Sequence, residues 1–244
     1  MSWYKNTSIW SAIIAATALM LSQFPPVTEW AKVENLDIKF NNRLGLNNAV
    51  GIVGYTLMLD LKNGGNRPAT ISKIDLNVQL VGTTEKTYQA EFYNKILPNN
   101  PQPISYPITS ITIQPGDSWI EQVSFNPSFK PSDEERLNEL RLNIAQEIWE
   151  NPNPNGLRRA SSGAVSPAVE FFDANFDLEK GQYKATISVL LEDGKSFEKS
   201  FEFIVYDFQI ETIKSQVKDY QFGAGIYYPV NNLKSVWAKI SNIQ

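Results

Sequence analysis

The chain has 244 residues with 22 basic and 26 acidic side chains, a formal net charge of -4, and neither cysteine nor histidine. Disulfides, thiol chemistry, thiolate and imidazole metal sites, and Ser-His and Cys-His nucleophile pairs are therefore excluded. No basic block stands out for tracking phosphates, so no nucleic-acid partner is expected, and only oxygen-liganded cations such as calcium or magnesium remain open.

Between Lys5 and Glu29 there is no charged residue, and the apolar run IWSAIIAATALMLSQF at Ile9–Phe24 ends at Pro25-Pro26. A membrane-spanning helix needs roughly 20 apolar residues, and the run predicts one over about 9–27 within an anchor region 1–28. Trp10, Ile13, Ile14, Leu19, Met20 and Leu21 would face lipid, with Trp3, Tyr4 and Trp30 as interfacial aromatics. A cleaved signal peptide, through Ala16-Thr17-Ala18, and a buried apolar helix are the alternatives. The expected location is a bacterial inner membrane, single-pass, with the large domain on the extracytoplasmic side. The count of flanking Lys and Arg argues for the opposite side.

Downstream, alternation of apolar and polar residues predicts strands. Leu36-Asp37-Ile38-Lys39-Phe40 is the first, Asn41–Asn48 reads as a loop, and Tyr55, Leu57, Leu59 and Leu61 share one face of the next. Asn63-Gly64-Gly65-Asn66 supplies a tight turn before Ile74, Leu76, Val78 and Leu80. A weaker strand carries Tyr88, Ala90 and Phe92, and the prolines between Pro98 and Pro107 suit an edge or a connection. After Gln114-Pro115-Gly116-Asp117, residues Trp119, Glu121, Val123 and Phe125 alternate with Ile120, Gln122 and Ser124.

The period then changes. Ser132 and Glu135 have capping-box spacing, and Leu137, Leu140, Ile144 and Ile148 recur at helical steps, which predicts a helix over 131–150. Residues 151–167 read as a mobile loop, and Ala168–Phe176 as a short helix or an extended piece. Tyr183, Ala185, Ile187, Val189 and Leu191 lead to Asp193-Gly194, with Phe197, Phe201, Phe203 and Val205 returning on the same side, a hairpin. A helical tail is expected over 207–244, first through Ile210, Ile213, Val217 and Tyr220, then, past Gly223-Ala224-Gly225, through Leu233, Val236, Trp237 and Ile240.

Two passages resemble immunoglobulin-like β-sandwich domains of bacterial cell-surface proteins, of the adhesion-module type. Leu59-Asp-Leu-Lys-Asn-Gly-Gly-Asn-Arg-Pro-Ala-Thr-Ile71 resembles their strand, turn and returning strand. Leu178-Glu-Lys-Gly-Gln-Tyr183 resembles the tyrosine corner, whose hydroxyl bonds back to upstream backbone. The resemblance implies a mainly β, immunoglobulin-like β-sandwich over 33–206 with an inserted α-helix, an N-terminal transmembrane helix and a C-terminal helical segment.

No residue set amounts to a catalytic, cofactor or metal site. Asp133-Glu134-Glu135 is accounted for by helix capping, and Asp173 with Asp177 lacks calcium-loop spacing. Arg158-Arg159-Ala160-Ser161 has the form of a basic-directed phosphorylation site, and Asn6-Thr7-Ser8 that of a glycosylation sequon. The candidate interface is Tyr227, Tyr228, Leu233, Val236, Trp237 and Ile240, an apolar and aromatic group placed after the sandwich is complete. The expected function is a membrane-anchored, non-enzymatic protein-interaction or assembly module, bound to lipid through the N-terminal helix and to another protein or itself. The alternative is an oligomeric membrane effector, for example in bacterial defence, whose N-terminal helices associate through small residues such as Ala15, Ala16 and Ala18 and perturb the bilayer.

Overall fold

The computed structural model describes Trp10, Ser11, Ile14, Ala15, Thr17 and residues 35–97, 100–126, 129–150, 158–226 and 236–242. Its strands are β1 (Leu36–Phe40), β2 (Arg43–Ala49), β3 (Ile52–Asn63), β4 (Ala69–Leu80), β5 (Lys86–Leu97), β6 (Asn100–Pro107), β7 (Ile111–Ile113), β8 (Ser118–Asn126), β9 (Gly181–Leu191), β10 (Ser196–Val205) and β11 (Val236–Asn242). The helices are α1 (Pro131–Glu150), α2 (Ser162–Asn175) and α3 (Asp207–Lys214), the last continued by a 3-10 helix over Ser215–Phe222.

Every pairing is antiparallel, and the order β5-β8-β3-β2-β11-β10-β9-β4 returns to its start because β4 also pairs with β5, from Asp75 opposite Gln89 to Val78 opposite Lys86. The result is a closed eight-stranded barrel. Strands β6, β7 and β1 extend it from β5, β4 and β3. The immunoglobulin-like sandwich is thereby corrected: two stacked sheets have four edges, whereas these eight staves close on themselves and leave edges only on the appended strands β1, β6 and β7. Alternation along a strand tells inside from outside, and it reads identically for a sandwich face and a barrel stave.

Inward side chains from all eight staves fill the interior, among them Leu57, Leu59, Ile74, Leu76, Val123, Phe125, Ile187, Phe201, Phe203 and Ile240. Of residues 41–48, read as a loop, 43–48 belong to β2. Leu44 and Leu46 point inward from β2, which Asn and Gly at intervening outward positions disguise. In β5 a bulge between Ala90 and Phe92 changes the side-chain phase, so Phe92 turns out to solvent while Tyr93 packs edge-on against Trp119. Strand β6 lies at an edge, where its prolines cost no ladder bond to a further strand.

The C-terminal segment does not form the expected helix. Strand β11 inserts between β2 and β10, with Val236 opposite Leu46 and Phe203 opposite Ile240. Leu233, Val236, Trp237 and Ile240 have helical spacing, but Val236, Ala238 and Ile240 also alternate, and pairing with two open edges selects the strand.

The helices pack over the end that carries the β2–β3 hairpin. Helix α1 begins at Pro131, whose missing N–H falls on an orphan position, and buries Leu137, Leu140, Ile144 and Ile148. Helix α2 begins at Ser162, inside the stretch read as loop, and includes Pro167. The hairpin turns through Val50 and Gly51, both with positive φ. A Cβ on Gly51 would stand 2.5 Å from the Phe172 carbonyl oxygen, so only glycine lets the hairpin tip meet α2. The Tyr183 hydroxyl donates to the Glu179 carbonyl (2.7 Å) and accepts from the Glu179 N–H (3.2 Å), a tyrosine corner built here into a barrel.

The transmembrane, single-pass inner-membrane reading is also corrected. Among the described residues no helix is long and apolar enough to cross a membrane. Of the stretch 9–27, Trp10, Ser11, Ile14, Ala15 and Thr17 are helical and exposed, and the remainder, with Ile13, Leu19, Met20 and Leu21, lies outside the described residues.

Two outcomes are expected. Truncation after Ser235 leaves β2 and β10 with unpaired inner edges and removes three inward side chains, two of them each worth about 1.5–3 kcal/mol of burial. That loss is comparable with the whole stability of a typical domain, so urea denaturation followed by circular dichroism should show no cooperative transition. Burial raises the hydroxyl pKa of Tyr55, Tyr183 and Tyr220, and pushes that of Tyr88 up to about 12. Above about pH 10 the unfolded tyrosines lose protons that the folded ones keep. Stability should therefore be flat in these groups at neutral pH and decline above about pH 10, with Tyr88 contributing up to about 1.4 kcal/mol per pH unit through about pH 12. Denaturant midpoints across alkaline pH, with tyrosinate absorbance, check this.

Candidate interaction surface

Because β11 is a stave, its side chains divide between core and surface. Val236 and Ile240 are buried and face inward, whereas Trp237 remains 40% exposed on the outer wall. Tyr227, Tyr228 and Leu233 lie outside the described residues. The expected interface is thus divided, and Trp237 is its one described member at the surface.

Strand register surrounds Trp237 with residues distant in sequence. Across β11, β2, β3, β8 and β5 runs one outward row, Trp237, Gly45, Thr56, Ser124 and Phe92. The indole lies over Gly45, where an added Cβ would be 3.3 Å from its ring carbon and 3.3 Å from the Thr56 Cβ. Small side chains in the middle of the row let the indole lie down on the wall, the aromatic covering that a glycine in a sheet calls for. Thr56 is buried under it and accepts a hydrogen bond from the Asn47 amide.

At the end of β10 the aromatic area widens. Alternation places Ile204 outward beside β11, and Tyr206 and Phe208 follow, their rings stacked at 5.9 Å. Gln209 ties this corner together: its side-chain oxygen accepts from the Tyr206 N–H, and its amide donates to the Trp237 carbonyl, each at 2.7 Å. Buried and doubly bonded, it holds the first turn of α3 against β11. Phe208 is 62% exposed, Tyr206 53% and Ile204 43%. One row along the wall, Lys239 lies directly opposite Arg43. Asn42, Arg43, Trp237, Ala238 and Lys239 enclose a shallow depression of about 380 Å³.

The sequence pattern held a signal for part of this. If Phe201, Phe203 and Val205 face in, then Ile204 and Tyr206 face out. Arg43 could not be found that way, because its strand had been read as loop.

Other concavities lie elsewhere on the described residues. Tyr55, Tyr88 and Tyr183 line a cavity of about 230 Å³ at one barrel end, where Lys86 and Asp177 form an ion pair at 2.5 Å. A groove of about 520 Å³ between α2 and the 3-10 helix is lined by Val165, Val169 and Val217, with Arg159 and Lys218 beside them. Ser161, the residue of the basic-directed motif, caps α2 and donates to Glu147 through both its N–H (2.6 Å) and its hydroxyl (2.9 Å). Those two bonds hold the Glu147 carboxyl below its usual range. Among the described residues no group of three or more acidic side chains gathers to hold a metal ion.

The inward and outward members of β11 should separate on mutation. Ile240→Ala should cost about 2–5 kcal/mol through lost burial and a cavity, and Trp237→Ala about 1 kcal/mol or less, since the indole covers only a glycine and a threonine. Urea midpoints of the two variants measure the difference.

The chain matches no protein-family model and no curated protein. Among solved structures it is similar to a protein described as ApaA from Bordetella pertussis, at 9% identity over 70% of this chain and 94% of that one, with a TM-score of 0.27. A FixG-related protein from Vibrio parahaemolyticus shares 10% identity over 70% of this chain and 94% of its own, with a TM-score of 0.29. A protein from Archaeoglobus fulgidus shares 9% over 71% and 97%, with a TM-score of 0.26. At such superposition the description of the fold rests on this chain's own strand pairing.

Proposed function

We propose that this chain is a non-enzymatic protein-interaction or assembly module that binds another protein, or itself, through the outer-wall surface around Trp237. One observation carries the reading: Ile204, Tyr206, Phe208 and Trp237 are all substantially exposed, Gln209 ties the backbone of Tyr206 to that of Trp237, and Phe208 stacks on Tyr206. Scattered exposed apolar residues are ordinary on a soluble protein, but a group of them marks an interaction site. Trp and Tyr, with Arg, are the residues that dominate binding energy at interface centres. A rigid barrel wall also presents them with little ordering cost on association.

Chemical crosslinking of the full chain in its own cell extract, followed by mass spectrometry, tests the surface. Phe208→Ala/Trp237→Ala should remove the crosslinked partners seen with wild type, since each anchor of this kind is worth about 2 kcal/mol, or roughly 30-fold in affinity. Val81→Ala, which changes another exposed apolar residue at the far end of β4, should retain them. If the wild-type partner is a second copy, sedimentation velocity will show a dimer that the double variant lacks. Identical partners and mass for wild type and the double variant would refute the reading.

A further inference from the structure

Arg43 and Lys239 are direct cross-strand partners on β2 and β11, and both are exposed. Like charges placed opposite each other oppose strand pairing. Elsewhere in the described strand register, charges that face each other are of opposite sign: Asp37 faces Lys62, Lys39 faces Asp60 and Lys184 faces Glu202. Among the described residues no ion pair or hydrogen bond engages the side chain of Arg43 or Lys239, although acidic residues outnumber basic ones, 26 to 22. The two uncompensated cations share their depression with the Trp237 indole.

We infer that this depression reads carboxylates: the partner is a protein segment in which Asp or Glu side chains adjoin an aromatic or aliphatic one. The inference rests on the proposed interaction surface and names its partner's chemistry. The Arg43 guanidinium presents a planar fork matched to a carboxylate, Lys239 adds a point charge beside it, and Trp237 with Phe208 and Tyr206 takes the neighbouring apolar side chain. Charge complementarity selects this occupant over its competitors. A nucleic acid or an anionic bilayer is held by many cations spread over a surface. Two cations on a chain of net charge -4 supply short-range recognition of a carboxylate and repel an extended polyanion at longer range.

The opposed pair also predicts a trade between stability and binding. Lys239→Glu turns the repulsion into a cross-strand ion pair, so it should raise the thermal midpoint and abolish recognition in the same molecule.

The test uses the full chain and fluorescein-labelled synthetic peptides in which pairs of Glu flank single Phe residues, with a counterpart carrying Lys for every Glu. Fluorescence anisotropy should show the acidic peptide binding at least tenfold tighter than the basic one, with an affinity that falls as salt rises. Arg43→Ala/Lys239→Ala should lose at least tenfold, and Lys239→Glu should lose binding while melting higher than wild type. The inference would be overturned by equal binding of both peptides, by no binding of the acidic peptide, or by capture by phosphatidylglycerol vesicles in its place. Self-association that excludes the peptide would overturn it too. Binding that survives the Arg43 and Lys239 changes and is lost with Phe208→Ala/Trp237→Ala leaves the interaction surface standing and removes only its acidic partner. Loss of crosslinked partners in neither variant removes the surface itself.

Discussion

The ladder on both sides of β11 is the interaction on which the structure depends. A strand of seven residues, Val236–Asn242, joins β2 to β10 and closes a sheet that would otherwise have two open edges. In the closed barrel each stave has its backbone donors and acceptors taken up by neighbours, so no stave is an edge. The same strand makes core and surface at once, because successive side chains leave it in opposite directions. Val236, Ala238 and Ile240 complete the interior, and Trp237 and Lys239 arrive on the outer wall beside Gly45 and Arg43.

Placement of β2 matters equally, since it carries the other half of that surface. Its hairpin with β3 turns through Val50, a β-branched residue at φ 49°, and Gly51, against the backbone of α2 at Phe172. A β-branched residue there is strained, and Val50 is held by near-complete burial. The helices stabilise the turn that sets the β2 register, which brings Gly45 under Trp237 and Arg43 opposite Lys239. Tyr183, stacked on Phe203 at 5.0 Å and bonded to Glu179, secures the start of β9 on the other side of β10.

Two kinds of surface result. Elsewhere on the outer wall, charges that face each other across the ladder are of opposite sign, as with Asp37 and Lys62 or Lys184 and Glu202, and hydroxyls bond in pairs, as with Thr186 and Ser200. Such exposed pairs contribute little to stability, but they set no like charges opposite each other. Around Trp237 the pattern is reversed, with aromatic rings uncovered and two cations facing each other. The opposed cations oppose strand pairing and the exposed rings bury little area, which is the ground for proposing an interaction surface here.

Local chemistry in the chain determined a good deal. Strong alternation marked β1, β3, β4, β8, β9 and β10, Asp193-Gly194 marked their tightest hairpin, and the spacing of Leu137, Leu140, Ile144 and Ile148 marked α1. Those signals are legible because each is a period imposed by one element's own geometry. The tyrosine-corner resemblance also implied a bond from Tyr183 back to upstream backbone, and the structure supplies its partner, Glu179, four residues away. Closure of the sheet was not legible, since inward and outward positions are the same for a sandwich and a barrel until β4 meets β5. Strand β11 was misread for a related reason: seven residues fit both a helical and an extended period, and only the vacant edges of β2 and β10 choose between them. Arg43, Gly45, Thr56 and Trp237 lie up to 194 positions apart in the chain (237 less 43) and meet through register alone. Periodicity determines which side of an element is apolar, but pairing across the barrel determines which residues meet, and the candidate surface belongs entirely to that second kind of information.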